Sequence, residues 1–424
     1  MDIHIPYGNT SLCLSAENID EVLESDINKL IPQKSEDEIV SDAMRLPYGS
    51  LTLENLAKGK KTATIIISDH TRPVPSRYII PHMLAELRKG NAAIDVTLLV
   101  ATGAHRGSTK AELIGKLGER IVSEERIVVH DCDDADSLIS IGILPSGAEL
   151  TVNKWAVETD LLLAEGLIEP HFFAGFSGGA KSVLPGVCSR ITVLENHCAS
   201  FIDNAHARAG IMKDNPIQVD IVAAAGLAKL AYIVNVVINH NKQVVGAFAG
   251  NPLDAHEAGC RFLKEHCCVT PARRGDIVIT SNGGVPLDQN IYQAVKGLST
   301  AEAAASPEAV IIICARCTDG TGGNEFFEYV RDCENAQKLL AAIRKTPANE
   351  TVQDQWQFQI LARIMEKHKI IFVTEPHLKG TIEQMKMEYA PGIDEAVSRA
   401  RMVKGGNPHI VVIPDGVSVV VNER

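Results

Sequence analysis

The stretch TATIIISDHTRPVPSRYIIPHMLAELRKGNAAIDVTLLVAT, residues 62–102, decides the fold. It begins and ends with apolar runs of strand length, at 62–68 and 94–102. Continuous apolar runs of this length indicate strands that are buried on both faces. Between them, residues 77–90 place apolar side chains three and four positions apart, which is typical of a helix with one buried face. The stretch therefore predicts two strands of a parallel sheet joined by a helix.

The same alternation continues along most of the chain. Further strand-like runs are RIVVH (126–130), DLLLAEG (160–166), AYIVNVVIN (231–239), DIVITSNGG (276–284), AVIIICAR (309–316), KIIFVTE (369–375) and HIVVIPDG (409–416). Alternation of strands and helices predicts an α/β fold with mostly parallel sheets. A Pro-containing, charged bridge at 262–275 separates two such series, so we predict an N-terminal α/β domain at 1–270 and a C-terminal α/β domain at 271–424. We expect the two domains to face each other across a cleft, with ligands at the carboxyl ends of the strands.

Composition limits the possible partners. The 424 residues carry a formal net charge of −12, which argues against binding to nucleic acid because phosphate backbones need a basic surface. Apolar runs never reach the length of a membrane span, and the first residues lack the pattern of a signal peptide, so we expect a cytoplasmic chain without membrane contact. The ten cysteines lack regular spacing and predict reduced thiols. Cys314 and Cys317 have the spacing of a metal or redox pair, but a four-cysteine zinc site would need a second such pair.

The segment GFSGGAKS, residues 175–182, nearly matches a phosphate-binding P-loop. Ala180 stands where that motif has its second glycine, and Pro185 follows Lys181 too closely for a long helix to form. We therefore reject a nucleoside triphosphate site. The glycines can still offer backbone N–H groups to a single phosphate, which leaves Lys181 for other chemistry.

Polar side chains follow two of the predicted strands. Asp69 and Arg72 come after the first, and His105 comes after the second. An arginine at such a place can bind a carboxylate with two hydrogen bonds, although an ion pair with Asp69 is an alternative. Thr109 or Ser108 is expected to cap the next helix.

Later in the chain, residues 191–201 predict a helix with His197 near its middle, without the spacing of a protein-only metal site. A second helix, beginning at Asp288 or Gln289, would place Gln293 and Lys296 on one face, where they can hold a carboxylate and a hydroxyl. Trp356 lies in a polar stretch that indicates the start of another helix beside a pocket.

Taken together, these segments resemble the nickel-dependent lactate racemase family. The resemblance extends from residue 5 to residue 417 and rests on motifs in the family's order. These motifs are SDHTRPVPS, TGAHRGST, HFFAGFSGGAKSVLPG, ENH, NGGVPLDQNIYQAVKG and DQW. The cofactor of this family is a nickel-pincer nucleotide, pyridinium-3-thioamide-5-thiocarboxylic acid mononucleotide.

The resemblance implies a role for each candidate residue. Lys181 would carry the cofactor through a covalent bond, and His197 would be the protein ligand of nickel. Gly175, Ser177, Gly178 and Gly179 would contact the nucleotide, while His105 and His171 would be paired acid/base residues. The substrate would be bound by Asp69, Arg72, Tyr292, Gln293, Lys296 and Trp356.

The predicted activity is the interconversion of D- and L-lactate through hydride transfer and a transient 2-keto acid, with separate proteins synthesising the cofactor. The alternatives are a racemase or epimerase of another 2-hydroxy acid, such as malate, 2-hydroxyglutarate or a sugar acid, and a non-catalytic protein that binds nickel or a nucleotide. The paired histidines favour an enzyme, because a binding protein does not need two acid/base groups.

Overall fold

The computed structural model describes residues 2–15, 17 and 19–422, which form two compact units. The N-terminal unit comprises Asp26–Asn196 and His206–His266. The C-terminal unit comprises the described residues within Met1–Ser25, His197–Ala205 and Cys267–Arg424.

This division differs from the one predicted at residue 270, because two earlier segments, the first residues and 197–205, belong to the C-terminal unit. The first residues form a hairpin whose Ile5 and Leu14 lie in the same apolar core as the C-terminal strands. Glu21–Val22 then adds a strand to the C-terminal sheet. Residues 197–205 are held in part by Gln359, whose amide donates to the Ala199 carbonyl at 2.8 Å. Contacts between residues distant in sequence set these boundaries, so the local pattern could not predict them.

The N-terminal unit contains a six-stranded sheet. Its order across the sheet is Val244–Gly250, Leu230–Ile238, Leu162–Leu167, Thr62–Ser68, Asp95–Ala101 and Arg126–Val129. The first pair is antiparallel and every other pair is parallel. The central residues Ile65, Ile66 and Ile67 are all buried, as expected for a strand covered on both faces.

Helices connect these strands. They are Glu36–Arg45, Leu53–Ala57, Ser76–Gly90, Lys110–Leu117, Glu119–Glu124, Arg190–Asn196, Pro216–Leu227 and Pro252–Cys267. The short 3-10 helices are Asp26–Lys29, Ala135–Ser137, Lys154–Ala156 and Gly179–Ser182. Two small antiparallel pairs are Leu138–Ile143 with Glu149–Asn153, and Pro170–His171 with Gly175–Phe176. Thr109 caps Lys110–Leu117 through a reciprocal capping box with Glu112, which confirms the predicted cap.

The C-terminal unit contains a second six-stranded sheet, and all its strands are parallel. Their order is Glu388–Ala390, Lys369–Val373, Ala305–Cys314, Gly275–Ser281, Ile410–Ile413 and Glu21–Val22. Its helices are Ala199–Asp203, Ile291–Ala304, Asn324–Asp332, Ala336–Ile343, Gln355–Lys367, Lys379–Gln384 and Ile393–Lys404, with 3-10 helices Ala348–Glu350 and Pro376–Leu378. The remaining pairs are the hairpin Asp2–Tyr7 with Thr10–Ser15, and Cys268–Val269 with Val420–Val421. Two mostly parallel sheets with connecting helices confirm the predicted α/β class.

Among the described residues, none of the helices combines the length and hydropathy that a bilayer span requires. Cys314 and Cys317 are both buried thiols. Burial raises the pKa of both thiols above the usual range, so neither is poised as a thiolate.

Candidate active site

Asp69 and His105 form a carboxylate–imidazole pair at the edge of the N-terminal sheet. Ser68 and Ala101 are register partners in neighbouring parallel strands, so the residues that follow them emerge side by side. Asp69 Oδ2 lies 2.8 Å from His105 Nδ1. Because a carboxylate only accepts hydrogen bonds, Nδ1 is the donor, and Nε2 of the neutral ring is left to accept a proton.

The Asp69 carboxylate is buried and anionic. Burial raises its pKa, but the hydrogen bond from His105, the positive charge of His105 when that ring is protonated, the hydrogen bond from Thr71 and the charge of Arg72 outweigh that effect and keep the pKa below its usual value. Thr71 Oγ1 donates to Oδ1 at 2.6 Å. The side chain of Asp69 thus orients His105, whereas Arg72 is exposed to solvent.

His171 lies on the first strand of the small pair Pro170–His171 and Gly175–Phe176. The Ala174 N–H donates to His171 Nδ1 at 3.2 Å, so the neutral ring carries its proton on Nε2. Its ring stacks on Phe172 and meets the edge of Phe173, with centroids 5.2 and 4.5 Å apart. His105 and His171 therefore hold opposite tautomers when neutral, with Nε2 of His105 free of a proton and Nε2 of His171 a hydrogen-bond donor.

Lys181 lies in the single 3-10 turn Gly179–Ser182, which confirms that no long helix follows the glycines. Its ammonium lies 5.9 Å from the centroid of the Phe173 ring. Burial, followed by the positive charge of Arg72, lowers the pKa of Lys181 to about 7, while Glu169 opposes the shift. A lysine with this pKa is partly a neutral amine at neutral pH and can act as a nucleophile.

The glycines of this segment are required by close packing against protein atoms. A Cβ on Gly178, whose φ is +79°, would lie 2.7 Å from Asn235 Oδ1 and 3.0 Å from the Leu167 carbonyl oxygen. A Cβ on Gly179 would meet the His256 ring at 2.6 Å, and one on Gly175 would meet the Ile211 carbonyl oxygen at 2.5 Å. These contacts explain the glycines without a phosphate, and a role in cofactor binding stays a prediction.

The Ser177 hydroxyl is likewise bonded to protein, because it donates to the Leu167 carbonyl at 2.7 Å and accepts from the Glu169 N–H at 3.0 Å. The Ser177 carbonyl oxygen lies 2.7 Å from His256 Nε2. Sequence reasoning missed His256, which lies in the helix Pro252–Cys267 and supports the segment that carries Lys181. Nothing near His256 in the sequence indicates this contact, since the two segments meet only in the folded chain.

His197 differs from the prediction. The helix Arg190–Asn196 ends just before it, and a separate helix, Ala199–Asp203, begins two residues later. The predicted continuous helix is wrong, because Cys198 takes an extended conformation as the N-cap of the second helix. His197 is buried, and its ring centroid lies 5.1 Å from that of Trp356 in the same unit.

Tyr292 and Trp356 form a hydrogen-bonded aromatic pair in the C-terminal unit. Trp356 Nε1 donates to the Tyr292 hydroxyl at 3.2 Å, and that hydroxyl donates to Asp354 Oδ1 at 3.1 Å. Trp356 lies in the first turn of the helix Gln355–Lys367, as predicted. Asp354 was missed, although its place directly before a helix marks it as an N-terminal polar residue.

Gln293 and Lys296 lie one turn apart on the helix Ile291–Ala304, which confirms their predicted helical spacing. The helix starts later than predicted, because Asn290 is its N-cap and accepts from the Gln293 N–H at 2.9 Å. Asp288 is buried instead and accepts from the Gly8 N–H at 2.7 Å. Within the described residues, Gln293 Oε1 is buried without a hydrogen-bond partner, which leaves an acceptor for a ligand hydroxyl or N–H.

Known proteins match this chain over its whole length. The profile described as "Lactate racemase N-terminal domain" matches residues 7–210, and "Lactate racemase C-terminal domain" matches residues 270–421. The lactate racemase of Thermoanaerobacterium thermosaccharolyticum is 48% identical over 425 residues and covers 100% of both chains. The lactate racemase of Lactiplantibacillus plantarum is 45% identical over 421 residues and covers 99% of each.

Solved structures agree with these sequence matches. The lactate racemase apoprotein from Thermoanaerobacterium thermosaccharolyticum superposes over 100% of both chains with a TM-score of 0.96 at 48% identity. A protein from Thermotoga maritima superposes with a TM-score of 0.65 at 18% identity over 93% of this chain and 100% of its own, which shows the fold alone. With both profiles matched and full-length relatives well above 30% identity, the chain belongs to the lactate racemase family of isomerases.

Proposed function

We propose that this protein interconverts L- and D-lactate. The observation that carries the proposal is the pair of histidines in opposite tautomers, with Nε2 of His105 able to accept a proton and Nε2 of His171 carrying one. The hydroxyl proton must be removed and later returned, so two imidazoles that can each take up a proton and give it back suit the reaction. The names of the relatives supply the substrate.

The residues present also fit a covalently held nickel-pincer nucleotide. The Lys181 amine, with its pKa near 7, is a nucleophile that can join an acyl or thioacyl group of such a cofactor. The buried imidazole of His197 is a nitrogen ligand of the type that nickel accepts. When bound, the cofactor would supply a hydride acceptor for the hydrogen on the substrate's α-carbon. Its synthesis would fall to other proteins.

A route through hydride transfer avoids an unfavourable carbanion. The α-carbon beside an ionised carboxylate is a very weak acid, and a histidine with an ordinary pKa of about 6.5 is a weak base for it. Removing the α-hydrogen as hydride would instead leave a planar 2-keto acid. Returning the hydride to the opposite face of that acid would invert the α-carbon. The protein then needs only to move the hydroxyl proton and to hold the substrate.

Each side chain has a definite task in this scheme. Arg72 pairs with the substrate carboxylate, and its exposed guanidinium lies near enough to Lys181 to lower the pKa of that amine. His105, held by Asp69, takes the hydroxyl proton through Nε2 for one enantiomer. His171 performs the same task for the other enantiomer, for which its ring proton must lie on Nδ1 instead of Nε2 and the hydrogen bond from the Ala174 N–H must open.

The C-terminal unit contributes groups for a small polar substrate. Gln293 offers a buried acceptor, and Lys296 one turn away offers a cation. Tyr292 and Trp356 form a wall that is fixed by their hydrogen bonds. We propose that these residues bind a carboxylate and a hydroxyl of a small substrate. A cytoplasmic location, where thiols stay reduced, agrees with the thiols of Cys314 and Cys317.

The proposal is tested with protein produced beside cofactor-synthesis proteins in a host supplied with nickel. The purified holoprotein is incubated with L-lactate, D-lactate, malate or 2-hydroxyglutarate, and enantiomers are separated by chiral chromatography. We expect both lactate enantiomers to approach an equal mixture, while the larger acids react much more slowly. Nickel-loaded protein that leaves lactate unchanged would contradict the proposal, and turnover of a larger acid alone would reassign the substrate.

A further inference from the structure

We infer that Lys116 and Glu165 are positioning residues, which fix the loop 69–75 from beneath so that Arg72 and Asp69 present their charges in one geometry. The inference rests on the proposed function, because it takes Arg72 as the group that binds the substrate carboxylate. Neither Lys116 nor Glu165 is expected to touch the substrate.

Glu165 ties together the two ends of this loop. It is buried on the strand Leu162–Leu167, next to the strand that leads into the loop. Its Oε1 accepts from both the N–H and the hydroxyl of Ser68, each at 3.3 Å, and from the Ser76 hydroxyl at 2.6 Å. Ser68 is the last residue before the loop, and Ser76 is the first residue after it. One carboxylate oxygen thus clamps the loop at its base.

Lys116 holds the middle of the same loop. It reaches across from the helix Lys110–Leu117 and donates to the carbonyl oxygens of Arg72 at 3.2 Å and Val74 at 3.4 Å. Pro73 and Pro75 lack N–H groups, so backbone donors cannot provide a regular ladder there. The Lys116 ammonium therefore satisfies the carbonyl of the residue whose guanidinium is proposed to meet the substrate. Arg77, in the helix that follows the loop, donates to the Gly115 carbonyl of the helix Lys110–Leu117 at 2.8 Å and so holds the two helices together.

Burying ionisable side chains costs free energy, so a purely structural role would not favour Lys116 and Glu165 at these positions. Burial lowers the pKa of Lys116 and raises the pKa of Glu165, and the charge of each residue opposes the shift of the other. Within the described residues, Glu165 Oε2 is buried without a hydrogen-bond partner. Ionisable groups taken out of water cost free energy, so apolar residues of similar size would often stabilise the protein more. What Lys116 and Glu165 provide here is a fixed backbone, which a carboxylate-binding arginine needs to within about 0.5 Å.

The test compares Lys116→Met with Lys110→Met in the holoenzyme. Lys110 is exposed at the start of the same helix and serves as the matched control. Losing two hydrogen bonds from a charged donor should raise KM for lactate roughly tenfold and change kcat by less than about threefold. Nickel content should stay at the wild-type level. Lys110→Met should match wild type in both parameters.

A second readout does not depend on activity. Hydrogen–deuterium exchange of peptides covering 68–77 should be faster in Lys116→Met and in Glu165→Leu than in wild type, while exchange in the strand Asp95–Ala101 stays the same. Glu165→Gln, which keeps an acceptor oxygen for both serines, should restore most of the protection. If Lys116→Met does not fold, Lys116→Gln replaces it, and we expect a smaller change in the same direction.

Two results would overturn the inference. One is wild-type exchange in the loop together with wild-type KM in Lys116→Met. The other is faster exchange throughout the N-terminal unit of Lys116→Met, with a fall in kcat as large as the rise in KM. That result would show only a general structural role. If wild-type holoenzyme does not racemise lactate, the proposed function fails, whereas the exchange measurement still reports whether the two residues fix the loop.

Discussion

Replacing Lys181 with alanine should abolish both cofactor attachment and racemisation. The variant removes the amine whose pKa lies near 7 and which we propose as the attachment point. The attached cofactor is the proposed hydride acceptor, and the variant would lack it. The racemisation rate should therefore fall by the whole rate acceleration of the enzyme, which is typically about 10⁶-fold or more. Intact mass should show a mononucleotide-sized adduct on wild type from a cofactor-producing host and the bare chain mass for Lys181→Ala. Lactate turnover is measured on the same preparations.

Lys181→Arg is the control that separates nucleophilicity from charge. It keeps a cation beside Arg72 and Phe173, but a guanidinium stays protonated at any pH that proteins tolerate and cannot form the bond. We expect it to lack the adduct and the activity just as Lys181→Ala does. An adduct of wild-type mass on either variant would show that the cofactor is attached elsewhere, and full activity without an adduct would remove the covalent step.

Asp69 and His105 should act as one unit. His105→Gln removes the proposed proton acceptor and should lower kcat for lactate by about 10²- to 10⁴-fold. Asp69→Asn keeps the shape of the side chain but removes the anion that holds Nδ1 as a donor at 2.8 Å, so its loss should be of similar order. Steady-state kinetics of the two single variants and the double variant measure the effect.

The double variant decides whether the two residues are coupled. If Asp69 acts through His105, the double variant should lose no more than His105→Gln alone, because an orienting group has nothing left to orient. Losses that multiply would mean that Asp69 has an independent role, such as direct contact with the substrate. Circular dichroism and nickel content should match wild type in all three proteins.

The strands were predictable because their signal is local. Residues 62–68 and 94–102 are continuous apolar runs, and the structure places strands at Thr62–Ser68 and Asp95–Ala101. The helix Ser76–Gly90 between them follows the three- and four-residue spacing of its buried positions. A strand that is buried on both faces of a parallel sheet has a continuous apolar run, and this run can be recognised without knowledge of distant residues.

Two elements were mispredicted because tertiary contacts overrode the local pattern. Residues 191–201 have a helical pattern, yet the helix breaks at His197, and Ala199 is held by Gln359 from a distant helix. Asp288 was predicted as a possible helix start, but its carboxylate accepts hydrogen bonds from the backbone N–H groups of Gly8 and Arg316. Such partners are far away in the sequence, and the pattern of a single segment does not contain them.

The site was predictable to a different extent. The sequence predicted that Asp69 and His105 each follow a strand, and the structure adds that the two strands are neighbours that end at one edge. The tautomers of the two histidines could not be predicted, because they depend on which atom meets each Nδ1. Lys116 and Glu165 left no motif at all. Their roles arise from carbonyl and hydroxyl groups that only the folded loop brings within reach.

An isotope label on the substrate distinguishes racemisation by internal hydride transfer from racemisation through solvent protons. L-lactate carrying deuterium on the α-carbon is incubated with holoenzyme in ordinary water, and the D-lactate formed is analysed by chiral chromatography with mass spectrometry. We expect D-lactate that retains the deuterium, because a transferred hydride does not exchange with solvent protons. D-lactate that has lost the deuterium to water would contradict internal hydride transfer and would point to proton abstraction at carbon.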